Sequence, residues 1–158
     1  MRQIFIDTLV DIAQNDETIY LISSDFGYGV LDNFIKRFPK RFLNLGICEQ
    51  SIIGVAAGLA LEGFKPYVFA ITPFLIERPF EQLKLDIDQQ NANVKLIGYA
   101  DYPSQGPTHA VLDGPKLMSL FNNIHSWFPE DEDDLRNAVR KSYDSHQPAF
   151  ISLKRISR

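Results

Sequence analysis

The chain has 158 residues, 45% of them hydrophobic and 23% charged, which is the balance of a protein with one sizeable core. A chain of this length buries roughly 70% of the surface its unfolded form exposes. It therefore needs neither disulfides nor a structural metal, and its single Cys48 suits a reducing cytoplasm. Sixteen basic against 20 acidic side chains leave a net charge of −4, which excludes the basic footprint of an electrostatic nucleic-acid binder. The apolar stretch at 4–12 is interrupted by Asp7, Thr8 and Asp11, so it is neither a signal peptide nor a membrane span. The expectation is a cytoplasmic protein without nucleic-acid or membrane partners.

Ile4, Phe5, Thr8, Leu9, Ile12 and Ala13 recur at helical spacing and predict a first amphipathic helix ending at Asn15 and Asp16. A β-branched and apolar run at 18–23 predicts a strand, closed by a polar turn around Ser24, Asp25, Gly27 and Gly29. Leu31, Phe34, Ile35 and Phe38 return to helical spacing until Pro39, and a short strand is expected at 42–45. A helix rich in small residues follows, with Gly54 and Gly58 four residues apart. Glycine inside a helix costs about 1 kcal/mol relative to alanine, so this pair suggests close approach of another backbone.

Residues 65–71 read as a buried strand, 73–90 as one helix with proline at its start, and 94–100 as another buried strand. A loop at 102–113 precedes a helix at 115–121, a strand at 124–128, a helix at 130–145 and a last strand at 149–154. The acidic run at 130–134 is read as the first turn of that last helix rather than as a metal site. The fold class is therefore α/β: a doubly wound, mostly parallel sheet of five or six strands with helices on both faces and no internal domain boundary. Ligands of such sheets sit at the strand carboxyl ends, which selects the loops at 24–29, 46–50, 71–74 and 101–113.

Glu49 follows a strand and a glycine and opens the small-residue helix among Ile47, Cys48, Ile52 and Ile53. It reads either as an ordinary first-turn acid or as a partly buried carboxylate that meets a ligand nitrogen. Here the sequence becomes recognisable. RFLNLGICEQ at 41–50, followed by GVAAGLALEGFKP at 54–66, strongly resembles the pyrimidine-binding domain of transketolases and 1-deoxyxylulose-phosphate synthases. FLIERPFEQ at 74–82 and GPTH at 106–109 match the same domain in the same order, so the resemblance covers nearly all of 23–155.

The resemblance implies thiamine diphosphate chemistry, in which the cofactor attacks a ketone and stabilises the resulting carbanion. Glu49 matches the glutamate that bonds the aminopyrimidine ring, and Phe74 the aromatic that stacks on its face. Phe80 reads as core, and Arg78 either orders its loop or pairs with an acid. Asp25 matches an aspartate near the cofactor or is a turn-forming residue. His109 matches a histidine that contacts substrate oxygens, whereas His125 and His146 match no motif and are read as structural. Arg155 resembles an arginine that binds a sugar phosphate, with an exposed terminal arginine as the alternative.

The sequence also departs from the family. Nothing resembles the Gly-Asp-Gly…Asn segment that holds the cofactor diphosphate through a divalent metal. The expectation is a single pyrimidine-binding domain over 1–158, with the diphosphate-binding and C-terminal domains absent and a separate chain holding Mg2+ or Ca2+. Gln105, at a substrate-side position, stands where sugar-phosphate transketolases often carry aspartate, and Ala110 and Gly114 replace the usual Gln and Asp. The leading reading is a subunit of a split transketolase-like enzyme, a heterotetramer of two of each chain, transferring a two-carbon ketol unit between sugars or sugar phosphates. The alternatives are a β-type subunit of a 2-oxoacid dehydrogenase or split decarboxylase, which the GPTH loop argues against, and a non-catalytic scaffolding domain.

Overall fold

The structure is a computed structural model that describes residues 1–99 and 106–154. The β-branched and apolar runs form β1 (Ile19–Ser23), β2 (Phe42–Asn44), β3 (Lys65–Ile71), β4 (Lys95–Tyr99), β5 (His125–Trp127) and β6 (Ala149–Leu153). They make one sheet in the order β2-β1-β3-β4-β6-β5, with every neighbouring pair parallel. Parallel neighbours need crossovers, and here these are helical. The helices are α1 (Arg2–Ala13), α2 (Asp32–Arg37), α3 (Glu49–Leu61), α4 (Thr72–Ile76), α5 (Phe80–Gln82), α6 (Gly114–Met118) and α7 (Glu132–Ser145). No helix among the described residues is long and apolar enough to cross a membrane.

Side chains alternate across the strands and so feed two cores. Tyr67 and Phe69 of β3 face a layer built by Phe5 and Leu9 of α1, Phe34 of α2, and Leu135 and Val139 of α7. Val68 and Ala70 face Ile52, Ile53 and Ala56 of α3, Leu75 and Ile76 of α4, and Leu83. On α7, Asp131 caps the first turn by accepting from the Asp134 amide at 2.9 Å, so the acidic run serves the helix start as expected.

The expected single helix at 73–90 is three pieces. α4 ends at Ile76, α5 begins after Pro79, and its continuation over Leu83–Asp88 is a π-helix. Pro79 has no amide hydrogen, its ring clashes with the preceding turn, and it drives Arg78 away from helical geometry. The π-helix is anchored at its end, where the buried Asp88 carboxylate accepts from the amides of Asn123 (2.7 Å) and Ile124 (3.3 Å). Gly54 and Gly58 lie on the outer side of α3. Both are exposed, and a methyl group on either would meet no atom within 4 Å, so the close neighbour they suggest is not among the described residues of this chain.

At the amino ends of the strands, Asp16 collects Lys65 Nζ at 2.6 Å, the Tyr143 hydroxyl at 2.9 Å and the Thr18 amide at 2.8 Å. Partial burial works against its ionisation. The hydrogen bonds from Lys65, Thr18 and Tyr143 outweigh that and hold its carboxyl well below the usual range. Nearby, Lys95 is fully buried at the head of β4 and donates to the carbonyl of Gln147. Burial, helped by the charge of Lys65, pulls its ammonium down to about 7 from an ordinary 10.5.

Because the unfolded chain keeps Lys95 protonated up to about 10.5 while the folded chain releases that proton near 7, the unfolded state binds more protons between these values. Lys95 therefore makes stability rise with pH across that window. Denaturant unfolding from pH 7 to pH 10 is expected to show this rise in the wild type and to lose it in Lys95→Met. An unaltered slope in the variant would show that Lys95 does not titrate there.

Candidate active site

The turn from β2 into α3 uses Gly46 at φ 77°, a left-handed conformation that favours glycine. Asn44 Oδ1 accepts from the Gly46 amide and from the Asp25 amide, both at 3.1 Å, which ties the loop after β2 to the loop after β1. Glu49 is the first residue of α3, with its side chain only 7% exposed. A carboxylate there faces the positive end of the helix dipole, while Ile52 and Ile53 on the same helix go into the core. Glu49 lines an open cleft of about 380 Å³ with Ile47, Cys48, Gln50, Ser51 and Arg78.

The opposite side of the cleft is Arg78, which the β3–α4 junction positions. β3 runs straight into α4, with Pro73 in the first turn where its missing amide hydrogen costs nothing. This tight approach depends on Gly98 of β4. A methyl group there would collide with Thr72 Oγ1 and come within 2.9 Å of the Phe150 ring. α4 then carries Phe74 half-buried, and Arg78, four residues further on, lies above it. Arg78 Nη1 lies 3.2 Å from Oε1 and 3.3 Å from Oε2 of Glu49, and its guanidinium carbon lies 3.7 Å from the centre of the Phe74 ring.

His109 closes the row. It ends a short 3-10 turn (Pro107–His109), stands edge-on to Phe74 with ring centres 4.9 Å apart, and shares a 2.9 Å hydrogen bond between its Nδ1 and Thr108 Oγ1. The next residues are pinned to the α4 wall, because Glu77 Oε1 accepts from the Leu112 amide at 2.9 Å. Glu49, Arg78, Phe74 and His109 thus form one contiguous series of contacts.

Asp25 stands apart from that series. It is exposed and left-handed at φ 57°, and it accepts from the Tyr28 hydroxyl at 2.6 Å and Asn44 Nδ2 at 3.1 Å. The Tyr28 hydroxyl, and after it Asn44, hold its carboxyl below the ordinary range. Gln105 and Arg155 lie outside the described residues. Phe80 packs on Phe121 at 5.1 Å between ring centres, as expected for core. Sequence reasoning does not find Gly98 or Glu77, and it leaves Arg78 undecided. The available signals are a glycine inside an otherwise apolar strand and a proline directly after Arg78.

The fold is that of a doubly wound α/β domain, and it gathers a buried carboxylate, an aromatic ring and a histidine at the strand carboxyl ends, where such domains hold ligands. Residues 1–157 match the family described as transketolase, pyrimidine binding domain, and the chain belongs to that family. It is 33% identical over 157 residues to one subunit of an apulose-4-phosphate transketolase of Actinobacillus succinogenes, covering 97% of this chain and 50% of that protein. It is 35% identical over 160 residues to a 1-deoxy-D-xylulose-5-phosphate synthase of Chlorobaculum tepidum, covering 99% of this chain and 25% of the synthase. A solved structure of a split-gene transketolase, described as an inactive beta4 tetramer, superimposes with a TM-score of 0.88 at 30% identity, over 98% of this chain and 51% of that one. The chain thus spans about half the length of its apulose-4-phosphate transketolase relative and about a quarter of the synthase.

The Gly98 contact gives a direct test of how the site wall is built. Gly98→Ala is expected to cost about 1–3 kcal/mol of stability, the usual penalty of overpacking, and to raise hydrogen exchange in the amides of α4. Wild-type protection of α4 in a folded variant would show that the wall does not depend on this contact.

Proposed function

We propose that this chain is the pyrimidine-binding subunit of a split, thiamine diphosphate-dependent transketolase-like enzyme. It would transfer a two-carbon ketol unit between sugar-like substrates. The observation that carries the reading is the buried Glu49 carboxylate at the head of α3, joined through Arg78 to the half-buried Phe74 ring, in a chain whose residues 1–157 match this family. The residues present fit an aminopyrimidine. Glu49 offers an edge partner in the cleft, Phe74 offers a flat aromatic face beneath the Arg78 guanidinium, and the cleft volume suits a small ring.

When bound, thiamine diphosphate would supply the carbanion-stabilising chemistry that amino-acid side chains lack. Glu49 would bond the pyrimidine ring nitrogen and exchange a proton with it, which an amide could not do. Phe74 would stack on the ring, an arrangement worth about 0.5–1.5 kcal/mol beyond burial. His109, with Nδ1 engaged by Thr108, would offer Nε2 to a substrate oxygen. Asp25 would contribute a fixed negative charge near the cofactor, and Gln105 and Arg155 would contact the sugar or its phosphate.

A separate chain would supply the diphosphate-binding domain and its Mg2+ or Ca2+. One observation supports this: the Gly54 and Gly58 face of α3 lies open to a close neighbour. The relatives that are themselves subunits of apulose-4-phosphate transketolases, and the inactive beta4 tetramer of a split-gene transketolase, agree with a heteromer, for which two of each chain is the proposed composition.

Co-purified with its partner chain and given Mg2+, the wild type is expected to catalyse deuterium exchange at the thiazolium carbon of thiamine diphosphate. Glu49→Gln is expected to retain cofactor binding and to slow that exchange by a factor of at least about 100, the lower range for loss of an acid–base group. Unchanged exchange in the variant would remove Glu49 from this role.

A further inference from the structure

Arg78 is the cation among the residues lining the cleft, and it makes the two contacts that the proposed function reserves for the pyrimidine ring. Its Nη1 straddles the Glu49 carboxylate at 3.2 and 3.3 Å, and its guanidinium carbon lies over the Phe74 ring at 3.7 Å. A guanidinium is a planar, delocalised group that stacks on aromatic faces and donates in its own plane to carboxylates. An aminopyrimidine protonated at its ring nitrogen is likewise planar and likewise donates in its own plane to a carboxylate. The two cannot share one ring face and one carboxylate. Resting on the function proposed above, we infer that Arg78 is a placeholder: it fills the pyrimidine position in the free subunit and is displaced when the cofactor ring arrives.

Three further observations fit a group built to leave. The Arg78 side chain is 45% exposed against 7% for Glu49, so its charge withdraws into water rather than into protein. It sits in the turn between α4 and α5, outside both helices. Glu49, in contrast, cannot move, because it opens a helix whose next turn is core. A buried carboxylate left without a partner is strongly unfavourable, and Arg78 answers that cost while the ring is absent. Once the ring accepts Glu49 as its own partner, Arg78 is redundant there, and its departure opens the face of Phe74.

The placeholder role makes two effects run in opposite directions, which a purely structural role does not. In the free subunit, Arg78→Met is expected to lower the denaturation midpoint, and Glu49→Gln added to it is expected to restore the midpoint because no charge is then left unpaired. In the assembled enzyme with Mg2+, calorimetric titration with thiamine diphosphate is expected to show threefold to tenfold tighter binding by Arg78→Met, on the order of the competition a half-exposed ion pair provides. Should the Met variant not assemble, Arg78→Lys, which keeps the charge but cannot stack as a plane, is expected to tighten binding in the same direction by a smaller factor. Unchanged or weaker binding in the variants would overturn the placeholder and make Arg78 part of the bound site. Absence of binding by wild type and variants alike would overturn the cofactor reading, and the placeholder with it.

Discussion

The constraint on which the site depends is the burial of one carboxylate. Glu49 has nowhere else to go: it is the first residue of α3, and Ile52 and Ile53 immediately behind it are locked in the core against β1 and β3. Removing a charge from water costs several kcal/mol unless a partner restores the lost interactions. The partner comes from the neighbouring crossover, where Arg78 lies four residues beyond Phe74 and so over the same face. Pro79 follows directly and interrupts the helix there.

The same logic explains why the wall opposite Glu49 is so compressed. β3 passes into α4 without a connecting loop, which brings Thr72 directly onto β4, and only a strand residue without a side chain tolerates it. Gly98 is therefore as much a part of the site as Phe74, although it touches nothing that would bind there. Glu77 extends the wall by holding the Leu112 amide, so that His109 and the residues after it lie against α4. Each of these contacts crosses from one strand-end loop to another, which is the arrangement an all-parallel sheet makes available.

Most of the architecture is legible because the sequence alternates cleanly between β-branched runs and helical spacing, and the strand set, their parallel pairing and the two-sided packing follow from that. The single helix expected over 73–90 is the main error. Its apolar spacing is continuous across Leu75, Ile76, Leu83 and Ile87, since all four residues do face the same core. Periodicity reports which side is buried and is blind to a break that preserves the side; the proline is the competing signal. The burial of Glu49 is readable from its apolar neighbours, whereas its pairing with Arg78 depends on two crossovers converging and has no local signature. Asp25 shows the limit from the other direction: both readings of it require a turn, and the structure supplies the turn without joining it to the Glu49 series.

Stability and site chemistry are separated along the strands. The strongest polar cluster, Asp16 with Lys65, Tyr143 and Thr18, lies at the amino ends and ties α1, β1, β3 and α7 together. Arg41 reinforces it by donating to the carbonyls of Ala13 and Asp16 at 3.0 and 2.8 Å. The carboxyl ends carry instead the groups whose interactions are incomplete or exchangeable: a carboxylate answered by a half-exposed guanidinium, and a ring with a cation on its face and a histidine at its edge. A sheet anchored firmly at one end can tolerate a poorly compensated site at the other, because rearranging the cleft leaves the amino-end cluster and both cores untouched. This separation lets Arg78 exchange its place with a ligand while the fold that positions Glu49 stays fixed.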